Sequence, residues 1–334
     1  MRLSGEGEQK LTRRYTSNNE AYQLYLKGRF SWNKRTGESL KQAVGFYNQA
    51  IEKDPGFALA FAGLAETYVL FPNYEVAPPA DCMPQAKAAA LRALELDESL
   101  AEAHTALAWY FCQFEFDWDS AEKGLRRAIE VNPNYATAHQ WLAELLAQTK
   151  RFDESESEVR QAQELDPLAP IIGTNVGWHY FLARRYDESI REVNRTLSLN
   201  PDFPVAQGVL CWAYNAKNMF DEGVPACRKA FELIGGAYDK GYLSLVLGRA
   251  GQRAEAKKLL EELKAASVRR YVPSIAIALA HLGLDEKEAA LQMLEKEVAE
   301  RGYWASTFAV APELDELRSE PRFKALIKQL NLPE

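Results

Sequence analysis

The sequence predicts an all-α repeat protein, a stack of helical hairpins whose core grows along one axis, and three observations carry that expectation. First, Asp-Pro or Asn-Pro dipeptides recur at Asp54-Pro55, Asn132-Pro133, Asp166-Pro167 and Asn200-Pro201, and the last three prolines are each 34 residues apart. Proline bars helix continuation from the preceding residue, so each dipeptide marks a boundary between helices. Second, upstream of a boundary a small residue is followed by a large apolar one, a second small one and the proline. Ala43, Tyr47, Ala50 and Pro55 show it, as do Ala121, Leu125, Ala128 and Pro133, and Ser189, Val193, Thr196 and Pro201. Steps of four and three keep these side chains on one helix face, where small residues let two helices approach closely. Third, downstream of a boundary an apolar residue precedes a small one, with an aromatic three further on. Phe61, Leu64, Ala65 and Tyr68 fit, with Leu107, Ala108 and Phe111, Val176, Gly177 and Tyr180, and Leu210, Cys211 and Tyr214.

Taken in order, the hairpins fall at about 21–55, 58–98, 101–133, 136–167, 170–201, 204–235, 237–264 and 271–299. The last two rest on Ala256, Leu260 and Leu263 and on Ala290 and Leu294, and lack the closing proline. Gly235-Gly236 stands in place of proline after the sixth and reads as a turn. The second hairpin carries an insertion, Phe71 to Gln85, whose four prolines forbid a continuous helix and predict an ordered loop projecting from the stack. One amphipathic helix from about Pro321 should cap the exposed end of the array. The expected organisation is a tail over 1–17, repeats over 18–299 and a capping segment over 300–334.

These residues resemble the tetratricopeptide repeat (TPR), whose W-x2-L-G-x2-Y…A-x3-F…P pattern is matched several times. The resemblance implies a right-handed superhelix whose concave face is lined by the first helices and accepts an extended peptide or a partner helix. The opening Glu20 to Arg29 and the closing Leu317 to Phe323 also resemble the TPR region that follows serine/threonine kinase, adenylate cyclase or winged-helix regulator domains in bacteria. That likeness implies a regulatory or sensory module, with the residues before Asn18 as the end of an upstream domain.

Composition narrows the classes further. With 47% hydrophobic and 26% charged residues the chain is that of a folded soluble protein. No apolar run reaches the roughly 18 residues of a membrane span, and the first residues lack a signal peptide's apolar core, which predicts a cytoplasmic chain without membrane contact. A net charge of -7 argues against nucleic acid as a partner. Between Lys10 and Lys41 the cations Lys10, Arg13, Arg14, Lys27, Arg29, Lys34, Arg35 and Lys41 outnumber Glu20 and Glu38, and read as a solvated helix face or a partner contact. Cys82, Cys112, Cys211 and Cys227 form no CxxC pair and read as free, mostly buried thiols.

Candidate site residues come from the first-helix positions that should face the groove: Thr105, Trp109, Gln140, Glu144, Thr174, Trp178, Gly208 and Trp212. They include no cation, so the TPR clamp for a chain-terminal carboxylate, which needs Lys, Arg and Asn, is rejected. Tryptophan follows the small residue in three repeats, as Trp109, Trp178 and Trp212. A tryptophan wall anchors apolar groups of a partner, whereas packing between neighbouring helices is the structural alternative. Trp141 reads as packing, and Glu144 adds a preference for a cationic group. His104 and His139 lie at matching places but are too few to ligate a metal, so neither metal nor cofactor is expected. No Ser-His-Asp, Cys-His, GxSxG, Walker or GxGxxG element occurs. The expected function is a non-catalytic protein-binding scaffold. The alternatives are a sensor of a small apolar ligand and a self-association module, as a homo-oligomer.

Overall fold

The computed structural model describes residues 16–333, and every regular element among them is helical. The expected tail over 1–17, including Lys10, Arg13 and Arg14, lies almost entirely outside the described residues. Seventeen α-helices form eight hairpins and a terminal helix. The hairpins are α1 (Asn19–Asn33) with α2 (Gly37–Lys53), α3 (Ala58–Tyr68) with α4 (Pro79–Leu96), α5 (Ala101–Tyr110) with α6 (Trp118–Val131), and α7 (Ala136–Gln148) with α8 (Phe152–Leu165). There follow α9 (Pro170–Leu182) with α10 (Tyr186–Leu199), α11 (Pro204–Ala216) with α12 (Phe220–Ile234), α13 (Ala237–Arg249) with α14 (Arg253–Ser267), and α15 (Ser274–Gly283) with α16 (Lys287–Ala299). Beyond them lie two 3₁₀ turns, Tyr303–Thr307 and Pro312–Leu317, and α17 (Pro321–Gln329).

Local chemistry sets these borders. Asp54, Asn132, Asp166 and Asn200, each before its proline, cap α2, α6, α8 and α10 in an extended conformation that the following ring requires. Lys150, Arg184, Asn218 and Asp285 close their hairpins in the left-handed region, as does Arg35 after α1. The small positions are where helices meet. A Cβ on Gly177 would stand 2.4 Å from Val193, and one on Gly28 or Gly63 would stand within 2.6 Å of the Tyr47 ring.

Four expectations are corrected. Cys211 and Cys227 are bonded as a disulfide between α11 and α12, with 4.8 Å between their Cα atoms; Cys82 and Cys112 are free and buried. They sit 34 residues after Gly177 and Val193, so the contact that glycine and valine make in the fifth hairpin is the same contact cysteines make in the sixth. Second, the insertion is half helix. α4 starts at Pro79 and runs through Pro84, whose missing N–H falls near the first turn, where fewer partners are lost. Third, the remaining loop turns inward: the Glu75 carboxylate accepts the backbone N–H groups of Ala237 and Tyr238, both at 2.7 Å, at the start of α13. Fourth, Arg29 and Arg35 belong to no solvated face. Arg29 pairs with fully buried Glu66, and Arg35 is 3% exposed.

The segment after α16 also does more than cover the end of the array. α17 packs on α16, with Arg322 paired to Glu288 and Glu295. Residues 300–317 meanwhile pass along the inside of the superhelix. Arg301 reaches the Phe114 carbonyl and Glu115, in the π-turn after α5. Trp118 Nε1 donates to the Leu330 carbonyl at 2.8 Å, and Arg184 donates to the Val310 carbonyl and to Asp315. Tyr303 joins the core of the first four hairpins, while Trp304 packs against that core and the core of the later ones.

Candidate functional site

The concave face holds two adjoining cavities, and Arg35, Asn73, Tyr74, Val205, Trp212 and Trp304 line both. The first adds Gln140, Trp141, Glu144, Asn175, Trp178 and Tyr303. The second, about 310 Å³, adds Glu75, Gly208, Tyr238, Asp239 and Arg270. Each wall comes from a different element: α7, α9, α11 and α13 supply the first-helix side, the inward loop supplies Tyr74, and the segment after α16 supplies Tyr303 and Trp304.

The tryptophans expected to share this wall divide. Trp178 is half-buried and lines the first cavity, while Trp212 is 7% exposed and lines both. Trp109 is fully buried, its ring 4.9 Å from Trp141, and it reaches neither cavity. It is Trp141, read as packing, that faces the groove. The reason is register: the π-turn at Phe111–Glu115 ends α5 early, and the neighbouring α7 covers Trp109 with its own indole. Thr105 and Thr174 are buried and donate to the carbonyls four residues back, Ala101 and Pro170, so they present nothing to the groove. Gln140 and Glu144 do face it, and Gly208 opens the second cavity.

Charge on this wall is not that of a solvated surface. Glu144 accepts from Gln140 at 3.2 Å and from Asn175. Burial pushes its carboxyl up to about 7 against those two hydrogen bonds, so it is no free anion awaiting a cation. Burial, with the Glu75 carboxylate beside it, pushes Asp239 up to about 8. Arg35 makes no hydrogen bond: its Nε and Nη2 are enclosed without partners, and its guanidinium lies 3.5 Å from the centre of the Trp32 ring. Burial lowers its pKa.

Elsewhere the polar clusters are structural. His104 bonds the Glu98 carbonyl, and His139 bonds Glu158 and the Pro133 carbonyl, so the two histidines serve separate partners. Ser155 Oγ lies 2.8 Å from His179 Nδ1, and Glu156 lies 4.0 Å from Nε2, which resembles a nucleophile with its base. The serine is fully buried and its hydroxyl donates to the Ala143 carbonyl, so the imidazole donates to the serine rather than taking its proton. Burial pulls His179 down to about 4, which agrees with a neutral structural ring.

Arg35, Tyr74, Asn175, Tyr303 and Trp304 were not legible as site residues, because none stands at a groove-facing first-helix position of the repeat pattern. The adjacent aromatics Tyr303-Trp304 in a stretch without the repeat are a signal that was present.

The tetratricopeptide repeat family matches residues 115–171, from the end of α5 to the start of α9. Comparison with curated proteins finds no match. Yeast Tom70 is similar over 95% of this chain and 69% of its own, at 17% identity and a TM-score of 0.52. A tetratricopeptide repeat protein from Parabacteroides merdae is similar over 80% of this chain and 100% of its own, at 16% identity and a TM-score of 0.51. The fold is the superhelical TPR solenoid.

Proposed function

We propose that the protein is a non-catalytic interaction scaffold that takes a short aromatic or apolar stretch of a partner protein on the concave wall between Trp178 and Trp212. One observation carries this reading: the wall already seats an extended aromatic stretch of the chain itself. Trp304 stacks on Tyr238 with ring centres 4.1 Å apart and meets the Trp212 ring edge-on at 5.9 Å. Arg184 meanwhile donates to a backbone carbonyl of that stretch. Aromatic anchors in desolvated pockets with main-chain hydrogen bonds are the usual means of binding an extended segment. The half-buried Trp178 ring offers a second place of the same kind beside it. TPR-type structural neighbours support a scaffold in general, and the likeness of both ends to regulator-associated TPR regions supports a regulatory or sensory module of a bacterial signalling or transcription protein, in the cytoplasm.

A fluorescent peptide of residues 300–317 tests the wall directly. It should bind the full chain carrying Trp304→Ala, whose own segment is loosened, and adding Trp178→Ala should weaken it about tenfold. Absence of binding to a folded Trp304→Ala chain would sink this reading. Compartment is tested by thiol titration of the denatured, unreduced chain freshly made in cells. Two reactive thiols, Cys82 and Cys112, mean an intact Cys211–Cys227 bond and oppose a reducing cytoplasm; four agree with one.

A further inference from the structure

We infer that the cavity beside Arg35 binds the carboxylate of a small aromatic or apolar acid, with Arg35 as its counter-charge. The inference deepens the groove reading, on which it rests for the position of the ligand. It begins from an imbalance. At the matching turn of the fifth hairpin, Arg184 is left-handed like Arg35, and its guanidinium is satisfied by the Val310 carbonyl and Asp315. Arg35 is far more deeply buried, 3% exposed, and has no acceptor at all. An enclosed guanidinium without an anion is costly, and the face of Trp32 offsets only part of that cost. Since Nε and Nη2 are sealed, Nη1 is the edge left to meet a ligand.

The surroundings choose the ligand's chemistry. Around the shared space stand Tyr74, Trp212, Trp304 and Tyr238, all flat and apolar on their faces, so the body of the ligand is aromatic or apolar. Trp304 Nε1 is a further enclosed donor without an acceptor. Of the other charged lining groups, Arg270 and Glu38 are exposed, Glu75 is held by two backbone N–H groups, and Asp239 is largely protonated at neutral pH. One buried cation beside these carboxyls suits a monoanion and opposes phosphate, whose second charge would have no partner. A volume of about 310 Å³ is at the small end of ligand sites and suits one ring with a short acid side chain. Two sources present this chemistry: a free acid, and the last residue of a polypeptide.

Calorimetry on the full chain with indole-3-propionate, its amide, the peptide Gly-Gly-Trp with a free carboxyl and inorganic phosphate separates the outcomes. At least one carboxylate should bind, at least tenfold more tightly than the indole amide, and phosphate should not bind. Arg35→Gln should weaken that carboxylate at least tenfold. Gly208→Leu, which fills the second cavity without touching Arg35, should abolish it. A Cβ at Gly208 meets only Trp212 and Asp239 at ordinary contact distances, so this variant keeps the test open if Arg35→Gln fails to fold. Binding of the free acid assigns a small-molecule site, and binding of the peptide alone assigns a chain end. Equal binding of acid and amide, tight phosphate binding, no binding of either carboxylate, or a folded Gly208→Leu chain that still binds overturns the proposal. None of these readouts depends on the 300–317 peptide, so the groove reading can fail while this one stands.

Discussion

The outer and inner walls of the superhelix are built from the same charged residues, yet the physics of those residues runs in opposite directions. Outside, on the second helices, hydrogen bonds from Arg151 hold Glu154 below the usual carboxylate range, Arg228 does the same for Glu255, and Arg322 for Glu288. These groups stand in water and attract one another weakly. Inside, burial raises Glu75, Glu144, Asp239, Glu297 and Glu313, and lowers Arg35. A solvated carboxylate takes its partner from many available, whereas an enclosed one is neutralised or held by a fixed donor. The contrast teaches that the acidic stretches of this sequence hold no function where they are dense, on the second helices, and that the few charges on the first-helix side and in the inward loops are the ones with consequences.

Four substitutions would break or sharpen that contrast, in descending effect. Trp304→Ala removes the indole that both cores share and should destabilise the chain by about 3 kcal/mol in urea unfolding, with earlier proteolytic cutting near residue 300. A loss under about 1 kcal/mol would mean that the inner segment is merely laid on the wall. Gly248→Ala should cost about 2–3 kcal/mol, because its Cβ would fall 1.9 Å from the Gly283 carbonyl oxygen where α13 crosses α15. Its outer counterpart, Gly45→Ala on α2, has nothing within 4 Å and should stabilise by about 0.5–1 kcal/mol. Equal effects at the two glycines would erase the distinction between tight and open walls.

Glu144→Gln tests the inner electrostatics. The folded pKa of Glu144, about 7, lies above its ordinary 4.5, so the folded chain binds this proton more tightly and loses stability as pH rises from 4.5 through about 7. Glutamine keeps the oxygen that Gln140 and Asn175 bond and removes the titration. The variant should therefore gain on the order of 1–2 kcal/mol over the parent at pH 8 and nearly nothing at pH 4.5. An identical gain at both values would locate the effect in packing. Smallest is Arg228→Ala, which breaks the exposed pair with Glu255 between α12 and α14; a loss below about 1 kcal/mol that shrinks further in 1 M salt is the outcome for the outer wall.

The repeat was legible because it rests on local rules. Proline after Asp or Asn ends a helix wherever it occurs, and the small residues at Ala43, Ala121 and Ser189 follow from the distance between paired helices, so the hairpin borders follow from the sequence pattern. The Cys211–Cys227 bond was legible by the same rule, through its 34-residue offset from the Gly177 and Val193 contact, once the geometry of that pair was considered. What the period cannot encode is any partner that lies outside it. The acceptors of the Ala237 and Tyr238 amides come from Glu75, more than 160 residues earlier, and no local pattern links the two. The indole of Trp109 satisfied the groove pattern as well as Trp178 did, and only the early end of α5 and the Trp141 ring beside it decide its burial. The candidate site was therefore half legible: Gln140, Glu144, Trp178, Trp212 and Gly208 lie on the periodic wall, while Arg35, Tyr74 and Trp304 come from turns and loops.

The segment that returns through the superhelix changes the chain as a mechanical object. An open array of hairpins is a spring: pulled at its ends it lengthens by small rotations at every joint, and its outermost units fray independently. Here Arg301 is tied to Phe114 across 187 residues and Leu330 to Trp118 across 212, so any extension must first tear contacts in the middle of the coil. Those ties raise the mean sequence separation of contacts, which slows folding, since the final residues must arrive before the third and fifth hairpins are locked. A spring wired shut in this way stores no elastic travel. It should resist stretching in a force trap up to one abrupt release, after which the freed coil extends smoothly.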